Sequence, residues 1–248
     1  GIIPQARLER IRKDPRVAFV SEDRKVSIER HRSSPTPTPT SSPTQTIPTG
    51  INRINAEPSF ARLNTGAGIN VAVLDTGIDL RHSDLAANIA GGKNCSSGAG
   101  YGDRNGHGTH VAGIIGAINN NIGVVGVAPN VKLWSVRVLD NSGSGTWSSV
   151  ICGIDFVTSK APKNGGPISI ANMSLGGYGS SDNNCGNTNG DALHKAICKS
   201  RDAGVTYVVA AGNESDTANN RVPAAYDDAV ITVSALADSD GVDGGLGT

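Results

Sequence analysis

From Ile51 onward the chain alternates short apolar runs with longer amphipathic stretches, and this alternation narrows the fold more than any other feature. Residues 69–75 (INVAVLD), 131–140 (VKLWSVRVLD), 168–175 (ISIANMSL), 205–212 (VTYVVAAG) and 229–236 (AVITVSAL) read as strands. They are apolar on both faces, as parallel strands covered by helices on each side must be. Helical patterns occupy 107–119, 146–160 and 190–203 between them. The expected class is therefore α/β, a doubly wound, mostly parallel sheet whose ligands bind at the carboxyl ends of the strands.

The N-terminal part is built differently. Residues 1–32 read as a short charged helix, a turn at Asp14-Pro15 and alternating strand positions at Val17 and Phe19 and at Val26 and Ile28. Residues 33–49 are rich in Ser, Thr and Pro and read as an extended linker. Residues 50–248 are then the main domain. Formal charge sums to zero, with nine Lys/Arg against five Asp/Glu in residues 1–32 and thirteen against seventeen in the rest. Acids interleaved with the bases argue against a nucleic-acid arm. No apolar run approaches the roughly 20 residues that span a bilayer, so no membrane partner is expected. The absence of an initial Met and of a leader reads as a piece of a longer precursor.

Asp75-Thr76-Gly77 would suit one half of an aspartic protease site, but no second copy exists and the alternation is wrong for an all-β fold. In the expected sheet, Asp75 ends the first strand, His107 opens a helix in NGHGTHVAGIIGA, and Asn213 follows the strand of VVAAGNES. An acid, an imidazole and an amide are parts of an acyl-transfer site. The acid fixes the imidazole tautomer, the imidazole takes a hydroxyl proton, and the amide donates to the oxyanion. His107 and His110 lack a third ligand at zinc-protease spacing. His82 and His194 read as ordinary surface residues.

Four blocks in order, VAVLDTGIDLRHSDL, GHGTHVAGIIG, NMSLGG and VVAAGNE, resemble the signatures of the subtilisin-like serine proteases, or subtilases, from about Gln45 to Asp240. The resemblance implies that Asp75 is the triad acid, hydrogen-bonded to His107 Nδ1, that His107 is the general base, and that Asn213 is the oxyanion donor. It also makes residues 1–32 the end of an inhibitory propeptide, lying in the substrate groove like a product up to Ile28–Arg32. The family's Gly-Thr-Ser-Met-Ala block is not in these 248 residues, and DGVDGGLGT at the end reads as a turn-rich loop. The serine is therefore expected beyond residue 248.

The same resemblance assigns Ser144 and Gly145 (in GSGTW), and Ser174, Leu175 and Gly176 (in SLGG), to two strands that sandwich a substrate. It makes Ala210, Ala211 and Gly212 the lining of a first pocket with room for a large apolar side chain, with a floor near Arg221–Pro223. An arginine at that floor would favour acidic residues. AINNNIGVVGVAP (117–129) matches the family's calcium loop. The implied ligands are side-chain oxygens of Asn120, Asp84 and Gln45 and carbonyls of Ile118, Ile122 and Val124, an oxygen set that suits Ca²⁺. In an exported protein four cysteines favour two disulfides, Cys185 with Cys198 first and Cys95 with Cys152 as the remainder, with two buried free thiols as the alternative. The expected protein is a secreted, monomeric serine endopeptidase acting on proteins or peptides, with its own propeptide as inhibitor. The alternative is a truncated or inactive subtilase that holds peptides or inhibits a protease.

Overall fold

The computed structural model describes residues 3–28, 44–56 and 64–235. The expectations for the end of the groove-bound segment at 29–32, for the linker at 33–43, for residue 236, and for the terminal loop through Thr248 lie outside the described residues.

Six strands form one parallel sheet: β2 (Asn70–Asp75), β3 (Ile89–Asn94), β4 (Lys132–Arg137), β6 (Ile170–Met173), β8 (Thr206–Ala210) and β10 (Ile231–Val233). Their order is β10-β8-β6-β2-β4-β3. Alternate residues of β2 enter two different cores, because successive side chains of a strand point to opposite faces. Ala72 and Leu74 pack with Val150, Ile154 and Val157 of α4 (Trp147–Ser159) and Leu193 and Ile197 of α5 (Ala192–Asp202). Val71 and Val73 pack with Ala112 of α3 (His107–Gly116). Each fully buried aliphatic side chain contributes about 1.5–3 kcal/mol. A strand apolar on both faces is thus what a sheet covered on both faces requires.

The elements begin where local chemistry lets them. Thr146 and Ser149 close a reciprocal capping box at the start of α4. Asp191 accepts from the N–H groups of Leu193 and His194 at the start of α5. The remaining elements are α1 (Gln5–Arg12), α2 (Thr49–Arg53) and a second sheet of β1 (Lys25–Ile28), β5 (Ser144–Thr146), β7 (Leu175–Tyr178) and β9 (Arg221–Val222). Its order is β5-β1-β7-β9 and every pairing is antiparallel.

Four sequence expectations are corrected. The run at 168–175 is two strands, since the chain leaves the parallel sheet at Ser174 and enters the second sheet at Leu175. Val17 and Phe19 form no strand; no partner strand lies beside them among the described residues, and Phe19 is 42% exposed beneath Lys195 Nζ. β3 was not anticipated because its Gly91 and Gly92 hide it. A Cβ on Gly91 would meet the Trp134 ring, and one on Gly92 would strike the Ser135 carbonyl and the Tyr101 ring. His194 is fully buried rather than at the surface. Helical spacing puts it on the core face with Leu193, Ile197 and Cys198, stacked on Tyr226 at 3.9 Å. Its Nε2 lies 2.6 Å from Asp228 and its Nδ1 3.3 Å from Asp182. The cysteines form both bridges, Cys95–Cys152 and Cys185–Cys198.

Candidate active site

Asp75 is the last residue of β2, at the carboxyl edge of the parallel sheet and fully buried. Its Oδ1 accepts from the Thr76 N–H at 2.7 Å. Its carboxylate oxygens lie 2.8 Å and 2.9 Å from Nδ1 of His107, the first residue of α3. With Nδ1 donating to the acid, Nε2 is left as the basic nitrogen. The His107 side chain is 22% exposed, so one edge of the ring reaches solvent while the other meets the buried acid.

This approach depends on glycine. A methyl group on Gly108 would strike the Gly77 carbonyl and press on the Asp75 side chain, so only a residue without a Cβ lets the helix start this close to β2. Gly106, the N-cap, has φ of 105°, in the left-handed region. Asp103 organises the turn, accepting from the N–H groups of Asn105, Gly106 and Thr109 and from the Thr109 hydroxyl. Burial raises the pKa of Asp103, but these hydrogen bonds outweigh it and hold the carboxyl below its ordinary value. Sequence reasoning missed Asp103. The available signal was an acidic residue three before a glycine N-cap and six before Thr109.

Asn213 follows β8 at the same carboxyl edge, after Ala210, Ala211 and Gly212, whose φ of 108° turns the chain outward. Asn213 is exposed and its N–H donates to Glu214 Oε2 at 3.1 Å. The groove begins close by: the Asp75 carbonyl accepts from the N–H groups of Val138 and Leu139, and the Asp140 N–H bonds to Ser144 of β5.

The two expected groove strands enclose a third. β1 pairs with β5 (Val26 opposite Gly145, Ser27 opposite Ser144) and with β7 (Ser27 opposite Gly176, Ile28 opposite Leu175). Val26 is 3% exposed and joins Leu175 and Trp147 in the core. Ile28 N–H bonds to the Gly143 carbonyl, and a Cβ on Gly143 would touch Ile28. Asp23 accepts from Ser148 N–H and Oγ at the start of α4, a contact the sequence reading did not anticipate. Ser174 Oγ accepts from Asn172 at 3.0 Å.

Five of the six residues expected to hold a cation come together. The Ile118 carbonyl, Asn120 Oδ1 and the Val124 carbonyl converge within 2.7 to 3.4 Å of the Gln45 amide. Asp84, 3% exposed, faces them, with Oδ1 3.2 Å from Asn120 and Oδ2 accepting from Val124 N–H. A half-turn of the Gln45 amide adds its oxygen to a set of hard donors that suits Ca²⁺. Ile122 is tied to the loop through its N–H, which donates to Asn120.

The subtilase family model matches residues 66–243. Subtilisin DY of Bacillus licheniformis is 42% identical over 77% of this chain and 65% of its own length. The thermostable alkaline protease of Halalkalibacterium halodurans is 40% identical over 92% and 54%. Subtilisin E of Bacillus subtilis is 37% identical over 88% and 51%. The crystal structure of a cold adapted subtilisin-like serine proteinase superposes with a TM-score of 0.59 at 38% identity, over 72% of this chain and 58% of that one. The chain spans between half and two thirds of the length of these relatives.

Proposed function

The chain belongs to the subtilase family, and on that premise we propose that the complete protein is a serine endopeptidase whose acid and base are Asp75 and His107. The nucleophilic serine comes from chain beyond residue 248. His107 Nε2 takes the serine proton as Oγ attacks the peptide carbonyl, and Asp75 keeps the imidazole in the tautomer that can accept it. Asn213 donates its side-chain N–H to the oxyanion of the tetrahedral intermediate. His107 then returns the proton to the leaving amine, and water releases the acyl group by the same steps in reverse. The observation that carries this reading is the contact of His107 Nδ1 with both oxygens of a buried carboxylate at the carboxyl edge of the sheet.

A protein or peptide substrate binds as an added strand between β5 and β7, with Ala210, Ala211 and Gly212 lining its first pocket. The pairing of β1 with both β5 and β7 supports residues 1–32 acting as an intramolecular inhibitor before the protein acts in a secreted form. Asp84, Asn120, Gln45 and the carbonyls of Ile118, Ile122 and Val124 would hold a structural Ca²⁺, whose charge would offset that of the buried Asp84 carboxylate.

Expression from the full coding sequence, followed by assay on a chromogenic peptide, tests the reading. Hydrolysis blocked by a serine-directed sulfonyl fluoride is expected. A complete protein that binds peptides and cleaves none would instead favour the peptide-holding alternative, to which the seating of β1 between two strands also lends support.

A further inference from the structure

The second sheet ends in a buried cation. Arg221, on β9, is 6% exposed. Its strand pairs with β7 (Gly177 opposite Val222, Tyr178 opposite Arg221), and β7 is one wall of the groove. Two residues flank the guanidinium, Tyr178 at the end of β7 and Glu214 in the loop after β8. Tyr178, two residues past Gly176, lies under it with 3.9 Å between Cζ and the ring centroid. Glu214, next to Asn213, places Oε2 3.2 Å from Nη2. That oxygen instead accepts from the Asn213 N–H, and neither Nε nor Nη2 of Arg221 has a hydrogen-bond partner among the described residues.

A buried guanidinium whose Nε and Nη2 make no hydrogen bond, with only the Glu214 charge beside it, is incompletely satisfied, and the group that suits such a fork best is a carboxylate bound through two parallel hydrogen bonds. An apolar side chain in the same pocket would leave it so. Tyr178, which covers one face of the guanidinium, is itself 70% exposed. In the sequence the residue that follows Ile28, the last residue of the strand filling the groove, is a glutamate.

Resting on the endopeptidase reading, we infer that Arg221 is a specificity-determining residue that makes the first pocket select an acidic side chain, glutamate in particular, before the scissile bond. This replaces the large apolar residue that the small Ala210, Ala211 and Gly212 lining by itself suggests.

The test uses the complete protein and four peptide amides that differ only at the residue before the cleaved bond: Glu, Gln, Leu and Lys. Cleavage after Glu is expected to exceed cleavage after Gln and Leu by at least about tenfold in kcat/KM, and to weaken with added salt. Arg221→Ala should lower the Glu-to-Leu ratio at least about tenfold. Glu214→Gln, which leaves the guanidinium without its competing carboxylate, should raise that ratio, and it decides the matter if Arg221→Ala does not fold. Hydrolysis after Leu with a Glu-to-Leu ratio below one, or a ratio unmoved by either substitution, overturns this inference and leaves the protease reading standing. No cleavage of any of the four overturns both.

Discussion

Thr76 Oγ1 donates to Asp103 Oδ1 at 2.9 Å while accepting from the Gly108 N–H at 3.0 Å. One hydroxyl thereby ties the residue after Asp75 to the turn that starts the His107 helix. Asp103→Ala removes the acceptor of several N–H donors at this helix start. A loss of about 1–2 kcal/mol is expected, the size of a lost cap, read as a lower Tm. The sign with pH follows from the lowered pKa of Asp103: its contribution is present above the carboxyl's unfolded value near 4 and is lost as pH falls through the folded value. Asp182 adds to the same trend. Burial opposes its charge, but N–H donors from Gly186, Thr188, Asn184 and Asn189 hold its carboxyl well below the usual range. The wild-type Tm should therefore fall below pH 4, and the gap between wild type and Asp103→Ala should narrow there. A gap independent of pH would count against Asp103 acting as a carboxylate.

Asp75→Asn leaves the shape of the site but lets His107 adopt the wrong tautomer. In the complete protein kcat should drop about 10⁴-fold with little change in Tm. A loss below about tenfold would remove Asp75 from the catalytic couple.

Asp84→Ala takes away the carboxylate that faces the cluster around Gln45 and removes an acceptor of the Asn120 amide and of the Val124 N–H. Calcium should raise the Tm of the wild type and not that of the variant, and strong chelation should lower the wild-type Tm toward it. A wild-type melt indifferent to both treatments would refute the calcium site.

The two bridges close loops of different length, with 57 residues of separation for Cys95–Cys152 and 13 for Cys185–Cys198. Chain entropy assigns them about 4 and about 3 kcal/mol respectively. Cys152→Ser should lower the Tm more than Cys198→Ser, and thiol titration of denatured wild type should find no free groups. Two free thiols would eliminate one bridge.

Val26 is the most deeply buried residue of β1, and Asp23 binds the start of α4. A peptide of residues 1–32 added to the processed, active protein should inhibit it, and Val26→Asp in that peptide should weaken inhibition at least about tenfold, since it places a charge in the apolar core. Equal inhibition by both peptides would show that the groove contact does not drive it.

The alternation of strands apolar on both faces with amphipathic helices was enough to predict a doubly wound sheet, because each helix and strand carries its own period in the sequence. The places of Asp75, His107 and Asn213 at strand ends and a helix start were legible for the same reason. What local pattern could not carry was decided by contacts between distant segments. The run at 168–175 reads as one apolar strand, and only the competing pairings with β8 and β1 break it at Ser174. β3 is a strand because Gly91 and Gly92 let it lie against Trp134 and Tyr101, although glycine has little strand preference of its own. His194 becomes a core residue because Asp182 and Asp228, from two other parts of the chain, meet its ring. The resemblance read from the sequence put Arg221 near a pocket floor, but its burial and its neighbours Tyr178 and Glu214 come from the fold, which leaves Nε and Nη2 without a hydrogen-bond partner among the described residues. Periodicity and turn chemistry are short-range and can be read along the chain, whereas the satisfaction of a buried polar group depends on neighbours that only the folded arrangement supplies.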